Sequence, residues 1–312
     1  MKAKQVNPLK KTLVVTGSAG FVGEKLVVEA EKLGYSVIGL DVRESSKLTC
    51  KQLVIDLVNE DFYHLIPKGS ALIHLASLST DSACREAPQL AIDANLKATL
   101  SVLANSEKAE VSHFIFASSE WVYPEKSEFT EQRESDRLEL SDLNSLYAIT
   151  KLVGESVIRI SAKIPYTLLR FGIVYGPRSI PGSSVESLAL KVFNSEEISV
   201  GSKETARRFV YVDDLVDGRV ADVHLGLSIV DKNPINLAGS KLITLQEIVQ
   251  TANSILHKSV ALIDGDKPAS IRNPLIDRAN EILSWQPKTE FSVGMRKCIQ
   301  AMTNKPEKKG MF

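Results

Sequence analysis

Thr12-Leu13-Val14-Val15-Thr16-Gly17-Ser18-Ala19-Gly20-Phe21-Val22-Gly23 decides how this 312-residue chain is read. A short apolar run, Leu13 to Val15, breaks into glycines at 17, 20 and 23. Phe21, Val22, Leu26, Val27 and Ala30 then recur at helical spacing, and Gly34 closes the segment. The order is strand, tight turn, helix. Gly17 permits the turn, Gly20 lets the main chain approach a pyrophosphate, and Gly23 lets the helix pack against the strand. The helix start offers N–H groups and the positive end of its dipole to that anion. The stretch therefore predicts a dinucleotide cradle built from Gly17, Ala19, Gly20, Phe21, Val22 and Gly23.

The pattern continues outward from this turn. Apolar runs at 13–16, 36–40, 52–55, 71–75 and 113–117 predict strands, separated by helical stretches at 21–33 and about 90–108. A helix at 145–162 and a strand at 166–171 follow. Short runs buried on both faces and alternating with helices imply an α/β fold, a Rossmann-type doubly wound parallel sheet. After Tyr175-Gly176-Pro177 the regularity declines, and 178–208 is richer in Gly, Pro, Ser and charge, as expected of a substrate-facing segment. A strand at 209–212 leads to a helix starting near Asp213-Asp214, and further helices are expected near 245–256, 277–283 and 292–302. The expected organisation is a dinucleotide-binding domain over 1–175 with return elements near 209–237. A smaller C-terminal α/β substrate-binding lobe covers 176–303, and a fraying tail covers 304–312.

Composition narrows the classes. Hydrophobic residues make up 44% of the chain and charged residues 24%, as in a globular domain large enough for a proper core. Thirty-eight basic residues balance 38 acidic ones, so no overall field recruits nucleic acid or an anionic membrane. Cys50, Cys84 and Cys298 are far apart, odd in number and without a CxxC pair. They read as free thiols in a reducing compartment, and no metal site is expected. The basic start, 1–11, leads into too few apolar residues for a signal-peptide core, and no later run approaches a membrane-spanning length. The expectation is a cytoplasmic soluble protein.

Several residues carry chemistry. Asp41 ends the second strand, about eighteen residues past the last glycine, where a carboxylate accepts both hydroxyls of an adenosine ribose and repels a 2′-phosphate. That favours NAD; Arg43 keeps NADP as the alternative. Asp56, before Leu57, suits either the adenine edge or a helix N-cap. In His74-Leu75-Ala76-Ser77 the small residues let a cofactor lie close, and His74 reads as a packed strand-end histidine. Tyr147 is the one tyrosine of seven with a lysine, Lys151, four residues on. On a helix the two share a face, and a lysine ammonium stabilises tyrosinate, bringing the phenol towards working pH. Ser118-Ser119 close the fifth strand, at the carboxyl edge where ligands collect.

Together these pieces resemble the extended short-chain dehydrogenase/reductase family, in its NAD-dependent nucleotide-sugar epimerase/dehydratase branch, over nearly the whole chain. The resemblance runs through the glycine turn, Asp41, His74-Leu75-Ala76, Ser118-Ser119 with Val122-Tyr123, and Tyr147 with Lys151. It continues in Leu169-Arg170, Val174-Tyr175-Gly176-Pro177-Arg178, the segment Arg207 to Asp214, and Leu283-Ser284-Trp285-Gln286-Pro287. It implies that Ser119 is the catalytic hydroxyl, Tyr147 the acid/base, and Lys151 its activator and a ligand of the nicotinamide ribose. It also puts Asn95 near the cofactor and Arg207 on the substrate diphosphate, with Arg272 as a looser second basic contact. Glu120 and Trp121 follow Ser119 on the substrate side.

Departures from the family narrow the reaction. The 4,6-dehydratases follow the catalytic hydroxyl with Asp-Glu, whereas this chain has Glu120-Trp121. Decarboxylases place a glutamate, and 3,5-epimerases and epimerase-reductases a cysteine, where Trp121 stands. An indole abstracts no carbon-bound proton, so those chemistries lose their key group. Trp121 either stacks on the sugar or plugs the pocket rim. Ile173 stands where many members carry an asparagine that helps hold the nucleotide. The implied function is an NAD-dependent nucleotide-sugar 4-epimerase. An NAD(P)H-dependent 4-ketoreductase is the alternative, and a cofactor-sensing protein without turnover is a third reading. Relatives pair through the helices corresponding to 90–108 and 145–162, so a homodimer is expected.

Overall fold

Leu13, Val14 and Val15 are fully buried, as a strand flanked on both faces must be. In the computed structural model, which describes residues 11–217 and 233–303, they belong to β1 (Thr12–Thr16). The chain continues through α1 (Phe21–Lys32), β2 (Ser36–Asp41), β3 (Lys51–Val54) and β4 (Ala71–His74). After α2 (Asp81–Glu86) come α3 (Pro88–Ile92) and α4 (Ala98–Lys108), then β5 (His113–Ser119), α5 (Leu146–Ser161) and β6 (Tyr166–Phe171). With β11 (Ile235–Leu237), these strands form a seven-stranded parallel sheet ordered β11-β6-β5-β4-β1-β2-β3. Sequence order reverses on either side of β1, the arrangement of a doubly wound fold.

The described residues form two compact units. The first comprises 11–117, 150–168 and 216–217, and its core gathers Val14, Leu40, Leu72, Val102, Phe114 and Ile158. The second comprises 118–149, 169–215 and 233–303, with Tyr175, Val185, Leu188, Phe209, Ile248 and Met295 in its core. Both units draw on separated stretches of the chain, so their bounds differ from 1–175 with return elements near 209–237 and a lobe over 176–303. Short elements complete the second unit: β7 (Val174–Tyr175), α6 (Ser184–Asn194), β8 (Ile198–Val200), β9 (Ala206–Arg207), β10 (Val210–Tyr211) and α7 (Val212–Leu215). Then follow β12 (Ile243–Thr244), α8 (Leu245–Leu256), β13 (Leu262–Asp264), α9 (Asp277–Leu283) and α10 (Phe291–Thr303).

Two expectations need correction. The segment 178–208 is more regular than its composition suggests, because α6 lies within it. Ser183 and Glu186 form a reciprocal capping box at its start, and Val185, Leu188, Ala189 and Val192 bury one face. The long helix expected over about 90–108 is broken in pitch by a π-helical turn at Asp93–Lys97, between α3 and α4. Such turns insert one residue and re-aim side chains, here around Asn95. The expected helix near Asp213 is α7, Val212–Leu215, and residues 218–232 and the expected tail 304–312 lie outside the described residues. Asp214 serves to anchor the late Trp285 motif. Its carbonyl accepts from Trp285 Nε1 (3.0 Å), and its carboxylate accepts from Thr289 N and Oγ1 (both 2.9 Å).

Candidate active site

In the first unit the glycine turn is closed on its neighbours. Gly17 has φ +69°, and a Cβ there would meet Ala76 N at 2.7 Å. A methyl group at Gly23 would collide with the carbonyl of Gly17, so α1 can pack this close only without a side chain at that position. Gly20 is the N-cap of α1, and no side chain caps its first turn, which begins at Phe21 and Val22. A helix start of this kind suits a phosphate. Asp41 stands beside it: Oδ2 accepts from Ala19 N (2.9 Å) and Oδ1 from Arg43 N (3.3 Å). Each carboxylate oxygen keeps further acceptor capacity for a ribose hydroxyl. The Arg43 guanidinium donates to the Ala19 carbonyl (3.3 Å). A cradle whose Cβ space is already taken, with a carboxylate at its edge, fits a dinucleotide with free ribose hydroxyls.

The strand-end segment 74–78 is held by side chains behind it. Thr99 Oγ1 donates to Asn95 O (2.7 Å), so it must accept from His74 Nε2 (3.0 Å), which therefore carries the ring proton. His74 Nδ1 then accepts from the Thr16 hydroxyl (2.7 Å), whose oxygen accepts from Ala76 N (3.3 Å). Burial, assisted by the Lys151 charge, pushes the pKa of His74 down to about 3, so the ring stays neutral. The reading of His74 as a packed histidine stands, with a hydrogen-bond relay added. Asn95 is buried and pins the same loop: Oδ1 accepts from Leu78 N (2.7 Å), and Nδ2 donates to Leu78 O (3.1 Å) and Thr150 Oγ1 (3.0 Å). Leu75, Ala76 and Ser77 lie on this tethered stretch. Asp56, in contrast, is exposed, and its carboxylate accepts from Val58 N (2.8 Å) and Asn59 Nδ2 (2.7 Å). Both contacts lie within its own turn, and no described helix starts there; Leu57 is a core side chain.

The helix α5 carries Tyr147 in its first turn and Lys151 one turn later. Ser145 starts it, its hydroxyl accepting from Ala148 N (3.2 Å). Lys151 is buried; its ammonium donates to Ala117 O (2.9 Å) and lies 5.1 Å from the Phe116 ring centroid. Burial lowers its pKa to about 8 against the opposing pull of Cys84 and Glu155.

In the second unit β5 ends at Ser119, whose Oγ accepts from Trp121 N (3.3 Å) and opens a 3₁₀ turn over Glu120–Val122. The Trp121 ring meets Tyr147 edge-on, centroids 6.1 Å apart, and Arg272 lies 4.6 Å over its face. Trp121 therefore ties the serine turn to the tyrosine. Arg272, buried, donates from Nε to Tyr123 O (2.9 Å) and pairs with Glu125 Oε1 (3.2 Å). Arg207 donates from Nη1 to the Ala206 and Ser270 carbonyls and from Nη2 to Ser270 Oγ (2.7 Å) and Glu125 Oε1 (3.3 Å). Its Nε is 3.6 Å from Oε1 of Glu120, a fully buried carboxylate.

The model of the NAD dependent epimerase/dehydratase family matches residues 13–237. The chain belongs to this family. Among relatives of this family, an uncharacterized UDP-glucose epimerase of Bacillus subtilis (strain 168) is 28% identical over 307 residues, covering 91% of this chain and 95% of the relative. A UDP-glucuronate 4-epimerase of Thermodesulfobacterium geofontis is 26% identical, covering 92% and 94%. The UDP-glucose 4-epimerase of Thermotoga maritima, solved with UDP-glucose, has the same fold at TM-score 0.80 and 24% identity over 93% of this chain and 98% of its own.

Other family landmarks have structural work in this fold. Tyr123 OH donates to Asn236 Oδ1 (2.9 Å) and accepts from Arg170 Nη1 (2.9 Å), which accounts for the Leu169-Arg170 and Val122-Tyr123 motifs. Ile173 packs against the core of the second unit. Sequence reasoning missed Glu125, Ser270 and Thr150. The local pattern around Glu125 and Ser270 carried no signal, because their partners lie 82 and 63 residues from them in sequence. Thr150, inside the Tyr147–Lys151 motif, was legible in principle. Among the described residues no group of His, Cys, Asp and Glu is placed to hold a metal, and no helix is long and apolar enough to cross a membrane.

Proposed function

We propose that the protein is a nucleotide-sugar 4-epimerase using NAD, with Ser119, Tyr147 and Lys151 as its catalytic groups. The observation that carries this reading is Trp121, which brings no acid or base of its own and joins the Ser119 turn to Tyr147. The site offers a hydroxyl and a phenol at a sugar carbon and no carboxylate at position 121 for elimination or decarboxylation. Gly17, Ala19, Gly20, Gly23 and Asp41 would hold NAD, which when bound supplies the acceptor for the C4 hydride and returns it. Tyr147 takes the proton from the C4 hydroxyl as the C4–H bond breaks, and Ser119 hydrogen-bonds that oxygen. The buried Lys151 ammonium favours the tyrosinate form. After the 4-keto sugar turns its other face, Tyr147 returns the proton to the same oxygen. C4 is inverted with no net oxidation.

Arg207 and Arg272 are the groups proposed for the diphosphate, and the relatives' UDP-sugars make a UDP-sugar the first substrate to offer. The test is incubation with UDP-, dTDP-, GDP- and CDP-sugars, with and without added NADPH. Turnover without added reductant is expected. Stoichiometric loss of NADPH would make the protein a ketoreductase instead. Dimerisation through α4 and α5 is part of the same proposal, supported by exposed Leu100 and Ile160 on those helices, and sedimentation tests it. Cytoplasmic residence is supported by three free cysteines.

A further inference from the structure

Glu120 follows the serine proposed to be catalytic, yet its side chain is turned into the protein. It is 0% exposed, and among the described residues neither carboxyl oxygen has a hydrogen-bond partner. Buried carboxylates are normally satisfied, so an orphaned one beside a ligand site calls for a function. The nearest charge is Arg207, with Nε 3.6 Å from Oε1. Arg272 and Arg208 add their fields from other segments. Glu125 is the second carboxylate of the cluster and pairs with both Arg207 and Arg272.

We propose that Glu120 is a positioning residue for Arg207, offsetting the guanidinium's charge as a carboxylate and, on taking up a proton, leaving that charge to attract the substrate diphosphate. The inference rests on the reading of Arg207 as a diphosphate ligand. With both acids ionised, the charges of Glu120 and Glu125 offset those of Arg207 and Arg272, and Arg208 adds a positive field nearby. Protonation of Glu120 makes the cluster one charge more positive beside an arginine that is still partly exposed. A dianionic diphosphate therefore binds the protonated form better, and binding draws a proton onto Glu120. Burial raises its pKa to about 7, with Arg207, Arg272 and Arg208 pulling the other way, so the exchange falls near neutral pH. Affinity for the substrate rises as pH falls through that range.

The test is calorimetric binding of UDP-glucose, a diphosphate diester of constant charge, to the NAD-containing protein at pH 6.0 and pH 8.5. For the wild type we expect a Kd about tenfold lower at the acid pH. Glu120→Gln, a permanent neutral mimic, should bind tightly at both and lose the ratio. A flat wild-type profile, or a Gln variant that keeps the wild-type ratio, overturns the proposal while leaving the epimerase reading intact. No binding at either pH overturns the diphosphate reading as well. Should the Gln variant fail to melt cooperatively, Glu120→Asp decides. Its carboxyl is drawn back from Arg207, so the midpoint must move, and an unchanged midpoint and ratio would sink the idea.

Discussion

In the cradle of the first unit, main chain is pressed on main chain. Gly17 lies against Ala76, Gly23 against Gly17, and the charged contacts there are those of Asp41 and Arg43. In the second unit the cluster around Trp121 is made by long charged side chains, Glu120, Glu125, Arg207 and Arg272, drawn from segments far apart in sequence. The first region has little room to vary: a single methyl group collides. The second is held by ion pairs and a cation–π contact between side chains. On the proposed function, the first region would hold the cofactor and the second the substrate.

The comparison can be broken first at the proposed chemistry. Tyr147→Phe should lower turnover by about 10²–10⁴-fold while NAD and UDP-sugar binding persist. Lys151→Met should do the same to turnover yet leave the melting temperature equal or higher, since a buried ammonium is removed. The sign follows from linkage. The folded-state pKa of Lys151 is depressed to about 8 from 10.5, so the unfolded chain binds more protons between those values. Wild-type stability therefore rises with pH across that window, and the variant's advantage is greatest below it. Melting curves at pH 7 and pH 10 check this, and a variant less stable at pH 7 would count against the assigned burial cost.

Next comes the rigid half. Gly23→Ala drives a methyl group into the Gly17 carbonyl and should cost about 3 kcal/mol, with loss of retained NAD. Arg272→Met removes a stack on Trp121, a hydrogen bond to Tyr123 and a pair with Glu125. We expect it to raise KM for the nucleotide sugar about tenfold with NAD content unchanged. If the two variants exchanged phenotypes, the division between cofactor side and substrate side would fall.

The same difference explains what could be read from the sequence. The glycine turn, Asp41 and the Tyr147–Lys151 pair are local patterns, set by helix pitch and strand–turn geometry, and the structure keeps them in place. The helix at 184–194 was hidden by surrounding Gly, Pro and Ser, although its capping box, Ser183 and Glu186, stood in the sequence. The π-helical turn at Asn95 leaves no compositional trace. Burial of Glu120 depends on Arg207 and on the segment holding Ser270 and Arg272, and no periodicity links these pieces. Asp56 showed the opposite hazard, a strand-end acid whose carboxylate caps its own turn.

The smallest expected effect tests how finely the tyrosine's partner is tuned. Glu155 lies one turn after Lys151 on α5, is buried, and pairs with Arg159 at 3.5 Å. Its negative charge holds the lysine pKa up against burial. Turnover by tyrosinate assistance needs the ammonium, so activity should decline on the alkaline side as Lys151 loses its proton, near pH 8 in the free enzyme. Glu155→Gln removes the supporting charge but keeps the shape. The alkaline limb of kcat/KM should then move to lower pH, while the rate on the acid side of it stays near the wild-type value. Because Arg159 loses its partner in the same substitution, Arg159→Gln is the companion variant. It breaks the same pair while keeping the charge at Glu155, and should leave the limb where it is. A shift to lower pH in both would mean that the helix, and not the charge at 155, sets the proton affinity of Lys151.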